Sequence, residues 1–525
     1  MQTSLRPLVF WPTFLVLLVA VVASYIDLDA FLATASALNS AILDNFSWLF
    51  SLGSVYLLVL AVIVYFSPLG QIRIGGPDAT PLLSRLRWFS ITLCTTLAVG
   101  VLFWTTAEPL YHFMGPPASS GLEAGSGDAM RFAMSTMFLH WSFTPYAIYA
   151  VPALIFALAF YNLRLRFSIS SMLEPILGPR VKRFGGLIDA ISLYALVAGM
   201  ASSLGTGALT LAGGAGQYLG GETTPLRLGV VIAIIVVTFV ISAASGLQKG
   251  IARLSSLNAV LLAILGIFMF IVGPTVFCLA LGVESFGLYL DNFFTKSLFT
   301  GAAGEDQWPQ WWSIFYWAVW FAWAPVAALF LGKISRGYTV REFLRVNLLY
   351  PALFACVWIL IFSGTALYFQ AHLDTLGGTD LHAVLNDRGV ENVLYELFRQ
   401  LPLSGVWIPL LLFIAYVSYV TAADSQTDAI GNLCTRGLTA DSDLNAGVTM
   451  KVIWGVIVGV VSWVMVSFVG IDGVKMLSNL GGLPAMLIVL LATGSIWRWL
   501  QNPARLVGPT NTAADPTPAR NEKPS

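Results

Sequence analysis

Twelve long apolar stretches constrain this chain more than any other feature. They fall at 8–26, 46–66, 88–113, 132–160, 187–211, 226–246, 254–282, 311–332, 346–371, 403–424, 449–470 and 478–499. About 20 consecutive apolar residues make a helix long enough to cross the ~30 Å hydrocarbon core of a bilayer. A helix also satisfies its own backbone hydrogen bonds there, where no water can. Composition agrees: 10% of residues are charged, against roughly 25% in a soluble domain. The chain reads as an all-α polytopic membrane protein with twelve transmembrane helices. The first stretch follows Arg6 as a signal peptide would, but it is long for one and no A-x-A site follows, so it reads as a span.

Loop charges orient the spans. With the amino terminus inside, 21 of the 27 basic residues fall in inside segments, and the outside keeps Arg131, Arg227, Lys296, Arg388, Arg399 and Lys475. This bias puts both termini on the cytoplasmic side. The division expected is a cytoplasmic amino terminus at 1–7, a transmembrane domain at 8–500 and a short, disordered, proline-rich cytoplasmic tail at 501–525. Two outside segments are long, 283–310 and 372–402. The first contains "ESFGLYLDNFFTKSLF", an amphipathic helix for the interface.

Several function classes drop out. The formal net charge is zero, which gives nucleic acid nothing to bind. Cys94, Cys278, Cys356 and Cys434 show no metal-type spacing and read as packing residues. The four histidines form no ligand cluster, and no nucleophile–base pair or nucleotide loop marks an enzyme.

Charges inside the spans are few. Glu108, Asp189, Asp424 and Asp428 all fall within reach of an interface, where snorkelling or helix capping explains them. His140 lies deeper, as a neutral hydrogen-bonded histidine or, with Glu108, as a proton relay. The membrane centre then holds no buried carboxylate. It holds aromatics instead. "YWAVWFAWAP" puts Trp317, Trp320 and Trp323 at i, i+3, i+6 near mid-span, and "HWSFTPYAIYA" puts Trp141, Tyr146 and Tyr149 on another span. Tryptophan ordinarily marks the edges of a span. Such clusters are either bulky core packing or a box for quaternary ammonium, whose attraction to each ring is worth roughly 0.5–2 kcal/mol. Two further segments fit two readings each. "TTLAVGVLFWTTAEPLYHF", with Gly100 and Glu108-Pro109, is a discontinuous helix at a substrate site or an ordinary proline kink. The glycines of "GTGALTLAGGAGQYLGG" and "SNLGGLPA" permit close helix packing or a moving gate.

Taken together, these segments resemble the betaine/choline/carnitine transporter (BCCT) family from the first span to the twelfth. The most specific part is "YWAVWFAWAPVAALFLGKISRGYTVREF"; "HWSFTPYAIYA", "ASSLGTGAL", "GLQKGIARLS", the Glu-Pro of span three and "VTAADS" match as well. The resemblance implies two extra amino-terminal helices followed by a LeuT-like 5+5 inverted repeat, spans 3–7 and 8–12. It implies a cation-coupled symporter, usually trimeric, that imports glycine betaine, choline or carnitine across a bacterial inner (plasma) membrane. Its substrate-binding residues would be Trp141, Tyr146, Tyr149, Trp320, Trp323 and Gly100, with no cofactor beyond a coupling Na+ or H+. The remaining partners are membrane lipid and a small zwitterionic or cationic solute. Alternatives are a proton-coupled or exchange carrier for ectoine, proline or dimethylsulfoniopropionate, and a non-transporting receptor. The chain departs from the family pattern at Tyr146 and Val319, where tryptophan is common. Thr96 and Ala98 replace glycines, and Thr421-Ala422 replaces a Thr-Ser pair. Leu196 and Met200 stand where hydroxyl residues would serve a second sodium, and span seven lacks the arginine of the exchangers. One sodium site is therefore weakened and the other absent, which keeps protons as coupling ion.

Overall fold

The computed structural model describes residues 5–96, 98–220, 223–244, 248–440 and 447–507. Side chains at 98–99, 182, 243–244 and 248–253 are outside that description, as is most of the expected tail. Helices are the only regular elements among the described residues, apart from the isolated bridges Leu5 to Thr435 and Arg73 to Thr339.

Eleven helices are long and apolar enough to cross a bilayer, and a bent pair makes the twelfth. Span 1 is Pro7–Ile26, span 2 Leu28–Phe66, span 3 the pair Arg85–Thr96 and Gly100–Met114, span 4 Gly127–Asn162, span 5 Arg183–Leu219 and span 6 Pro225–Ser242. Span 7 is Leu254–Val272, span 8 Trp308–Lys333, span 9 Val340–Ala371, span 10 Ser404–Leu433, span 11 Val448–Phe468 and span 12 Ile471–Gln501. Span 7 stops earlier than its hydropathy predicts. Gly273-Pro274 ends it, because proline clashes with the preceding turn, and a new helix runs Thr275–Asp291. That helix and the short Phe293–Ser297 make up the expected interfacial segment.

The packing repeats itself. Span 5 lies on spans 8, 11 and 12; span 10 lies correspondingly on spans 3, 6 and 7. Span 4 packs on span 8 as span 9 packs on span 3, and spans 8 and 12 meet as spans 3 and 7 do. Exchanging spans 3–7 with spans 8–12 thus maps the contact pairs onto one another. Five is an odd number, so successive repeats enter the membrane from opposite sides. Spans 1 and 2 stand outside this exchange, span 1 against span 5 and span 2 against spans 4, 8 and 12.

Small residues make the closest crossings. A Cβ on Gly482 would stand 2.5 Å from the Ala318 carbonyl oxygen, and one on Gly207 2.4 Å from the Tyr419 ring. These glycines serve close packing, since any larger side chain would push the spans apart. Asp189 of span 5 is fully buried rather than snorkelling. It takes the guanidinium of Arg6 and the Ser168 hydroxyl, with the Ser170 amide at 2.8 Å. Arg6 also donates to the Leu433 carbonyl at 2.9 Å, which ties the chain's start to the ends of spans 5 and 10.

Candidate substrate site

The site begins with two interruptions. Span 3 loses its helix after Trp104 and resumes it at Glu108, and its pieces Arg85–Thr96 and Gly100–Met114 are inclined by 51°. Pro109 opens the last piece, at a position where its missing N–H is no loss. The Thr105 carbonyl freed by the break accepts a hydrogen bond from Ser363 of span 9 at 2.6 Å. Span 4 breaks at Ser142. Pro145 has no N–H for the carbonyl four residues back, and the neighbouring His140 carbonyl accepts the Trp320 indole N–H at 3.0 Å. Exposed backbone at this depth is tolerated where it lines a cavity or finds side-chain partners.

A cavity of about 70 Å³ opens at these breaks. Trp104, Trp141, Tyr149, Phe315, Tyr316, Trp320 and Trp323 form its aromatic wall, and Thr95, Thr96, Ser202, Ser203 and Thr206 its hydroxyl wall; among the described residues no lining side chain is charged. Trp320 is the hub. Its ring meets Trp141 at 5.4 Å and 86°, and Tyr149 at 5.2 Å and 70°. Edge-to-face contacts of this kind are favoured by the ring quadrupoles. Gly100 makes room: a Cβ there would lie 2.7 Å from the Trp141 ring.

The expected site residues separate into two groups. Trp141, Tyr149, Trp320, Trp323, Gly100 and Thr96 line the cavity. Tyr146 does not; it is buried with its ring 6.5 Å from Trp320, behind the wall. Tyr149 already holds the cavity face, and a residue three positions earlier points about 60° away on a helix. Trp317 is fully buried against His140, ring centroids 5.9 Å apart, away from the cavity. Thr421 and Ala422 are buried in span 10 outside the lining, and the Thr421 hydroxyl bonds back to the Val417 carbonyl at 2.8 Å. Ala98 lies in span 3, and its side chain is outside the described residues.

Glu108 and the histidines correct two expectations. Glu108 has no exposed surface, and neither have His112 and His140. The carboxylate Oε1 lies 2.7 Å from His140 Nδ1 and 3.1 Å from His112 Nε2. Oε2 accepts the Trp141 indole N–H at 2.7 Å and the Tyr316 hydroxyl at 2.5 Å. His140 Nε2 reaches the Ser313 hydroxyl at 2.9 Å. The interior therefore holds a buried carboxylate with four partners, directly behind the aromatic wall. Two of the four histidines do come together, because Glu108 and His112 are one helical turn apart and span 4 supplies His140. Trp104, Tyr316 and the span 5 hydroxyls were missed as well. Tyr316, Trp320 and Trp323 share one helical face at i, i+4, i+7, a closer stripe than the one through Trp317.

A family model for betaine/carnitine/choline transporters matches residues 8–505. The chain belongs to the betaine/carnitine/choline transporter family. It is a polytopic membrane transporter rather than an enzyme. Within this family it is 32% identical over 500 residues to the glycine betaine transporter OpuD of Bacillus subtilis, covering 95% of each chain. It is 30% identical over 499 residues to an ectoine/hydroxyectoine transporter of Virgibacillus pantothenticus, covering 95% of this chain and 97% of that one. Among solved structures, a substrate-bound, outward-open Na+-coupled sialic acid symporter aligns with 88% of this transporter and 83% of its own chain, at a TM-score of 0.41 and 14% identity.

Proposed function

We propose that this transporter imports a solute with a methylated onium group, such as glycine betaine, choline or carnitine, by cation-coupled alternating access. The observation that carries the reading is the uncharged aromatic wall around Trp320, faced by hydroxyls. A quaternary ammonium has no N–H to offer, so ring faces suit it better than hydrogen-bond acceptors do. Ser203 and Thr206, which share the lining, offer hydroxyls for the polar end of the solute. The mid-membrane breaks in spans 3 and 4 are where alternating access places such a site. A coupling cation moving down about 100 mV contributes roughly 2.3 kcal/mol, or about a fifty-fold gradient. That cation is Na+ or H+. Thr96 is the sodium candidate at the cavity, and His140 with Glu108 the proton candidate. Both termini lie inside a bacterial inner membrane on the loop charges, and the assembly is a homotrimer by analogy with the family.

A second solute class has support in the hydroxyl-rich wall and in the ectoine-transporting relative: zwitterions without a methyl cage, such as ectoine. Proteoliposome uptake of labelled betaine, choline, carnitine and ectoine, under an imposed sodium gradient, proton gradient or neither, separates these readings. Accumulation of an onium solute under one gradient supports the proposal. Uptake of ectoine alone, or equilibration under every condition, defeats it.

A further inference from the structure

The cage itself carries no charge, yet a carboxylate sits immediately behind two of its rings. The hydrogen-bond roles around Glu108 define its state. His140 is flanked by the Glu108 carboxylate and the Ser313 hydroxyl, so a neutral ring donates from Nδ1 and accepts at Nε2. His112 meets Glu108 through Nε2, and its Nδ1 has no partner among the described residues. A buried lone pair without a partner is tolerated more readily than a buried N–H without one. The network thus assigns neutral imidazoles and an ionised carboxylate that accepts four hydrogens. Neither neighbouring lysine forms an ion pair with Glu108 among the described residues. Lys296 bonds to the hydroxyls of Ser135 and Thr136 at 2.6 and 2.7 Å. Lys475 lies over the Trp312 ring at 4.8 Å and is 3.9 Å from Asp472.

The geometry points to Glu108 as the fixed counter-charge of the cage, acting through Trp141 and Tyr316 to make it select positive charge rather than shape. This rests on the proposed onium site. An indole N–H and a phenol O–H that donate to a carboxylate leave more electron density on their rings, which strengthens cation–π attraction. The carboxylate also attracts the onium directly, across a dry interior where Coulomb forces are weakly screened. Placing it one ring away keeps it hydrogen-bonded whenever the cage is empty, so no bare charge is left in the membrane. Glu108 touches no solute. It is a positioning residue.

The test separates charge from shape. Glycine betaine and 3,3-dimethylbutanoate have the same outline, with nitrogen replaced by carbon; choline and 3,3-dimethylbutan-1-ol form a second such pair. Affinities are measured by calorimetry on the full chain in lipid nanodiscs at one pH. The wild type is expected to favour the onium member of whichever pair it binds, over its carbon counterpart, by tenfold or more. Glu108→Gln is expected to shrink that ratio at least fivefold, whereas general damage to the site would weaken both members alike. Tyr316→Phe, which keeps the ring and removes one donor, is expected to shrink it about twofold and decides the matter if Glu108→Gln does not fold. An unchanged ratio in the folded variants, or no preference in the wild type, overturns the inference and leaves the transport reading intact. Failure of the wild type to bind either onium overturns both.

Discussion

Gly100→Ala tests the cage at its tightest contact. The added Cβ would stand 2.7 and 2.9 Å from two atoms of the Trp141 benzo ring, where 3.4–4 Å is ordinary contact. The ring must retreat by roughly 0.7 Å to restore ordinary van der Waals contact. Trp141 is held at 2.7 Å to Glu108, and a shift of that size along the bond stretches it beyond hydrogen-bond range. A lost bond to a charged group is worth about 1.5–3 kcal/mol, and overpacking costs about 1–3 kcal/mol. If about 2 kcal/mol of this falls on the solute-bound geometry, affinity drops roughly thirtyfold. Calorimetry in nanodiscs reads the affinity, and thermal unfolding reads the stability. The same substitution in a Trp141→Phe background, where the clashing atoms are gone, is expected to cost nothing further in stability. An equal cost in both backgrounds would refute the contact argument and return Gly100 to a backbone role.

Other outcomes follow from the same structure. Trp320→Ala abolishes uptake while the protein still reaches the membrane, whereas Trp320→Phe, which keeps a ring and loses the bond to the His140 carbonyl, weakens solute affinity severalfold; normal uptake by the alanine variant would dismiss the cage. Arg6→Ala leaves Asp189 buried and uncompensated, a loss of about 3–5 kcal/mol, seen as a lower unfolding temperature in detergent. Adding Asp189→Asn recovers most of that loss, and no recovery would mean that the pair is not what holds the segment. Gly482→Ala sets a methyl against the Ala318 backbone, which cannot move aside as a side chain can. The folded yield falls sharply, while an unaffected yield would show that spans 8 and 12 are looser than described.

Much of the fold was legible because each span carries a long apolar run, and the break in span 3 was legible from Glu108-Pro109. The end of span 7 was not, because hydropathy continues across Gly273-Pro274 into the interfacial helix while the backbone cannot. The cluster of rings was legible, and so was the exclusion of Trp317 from it, but the full set of rings that line the cavity was not. Tyr146 fits the composition of the cluster and misses the cavity, since a helix resolves neighbours three and four apart by tens of degrees and span 4 resets its phase at Ser142. Glu108 was misplaced because distance along a span says nothing about what packs against it. Its partners His140, Trp141 and Tyr316 come from two other helices, so their convergence belongs to tertiary structure. The pattern Glu108, His112 at i, i+4 was a local signal that went unused.

The burial of the cage has a kinetic consequence. Trp104, Trp141, Tyr149 and Trp320 each keep no more than 4% of their surface exposed, and the space among them is small. The cavity is partly open at Thr95, Thr96, Ser203 and Trp323, but the rings themselves are covered, so the helices must part before a solute can lie among them. Observed binding rates should therefore stop rising at high solute concentration and level off at the rate of that parting. Raising the solvent viscosity would leave the plateau little changed. Two solutes of different affinity would share one ceiling and differ chiefly in how long they stay.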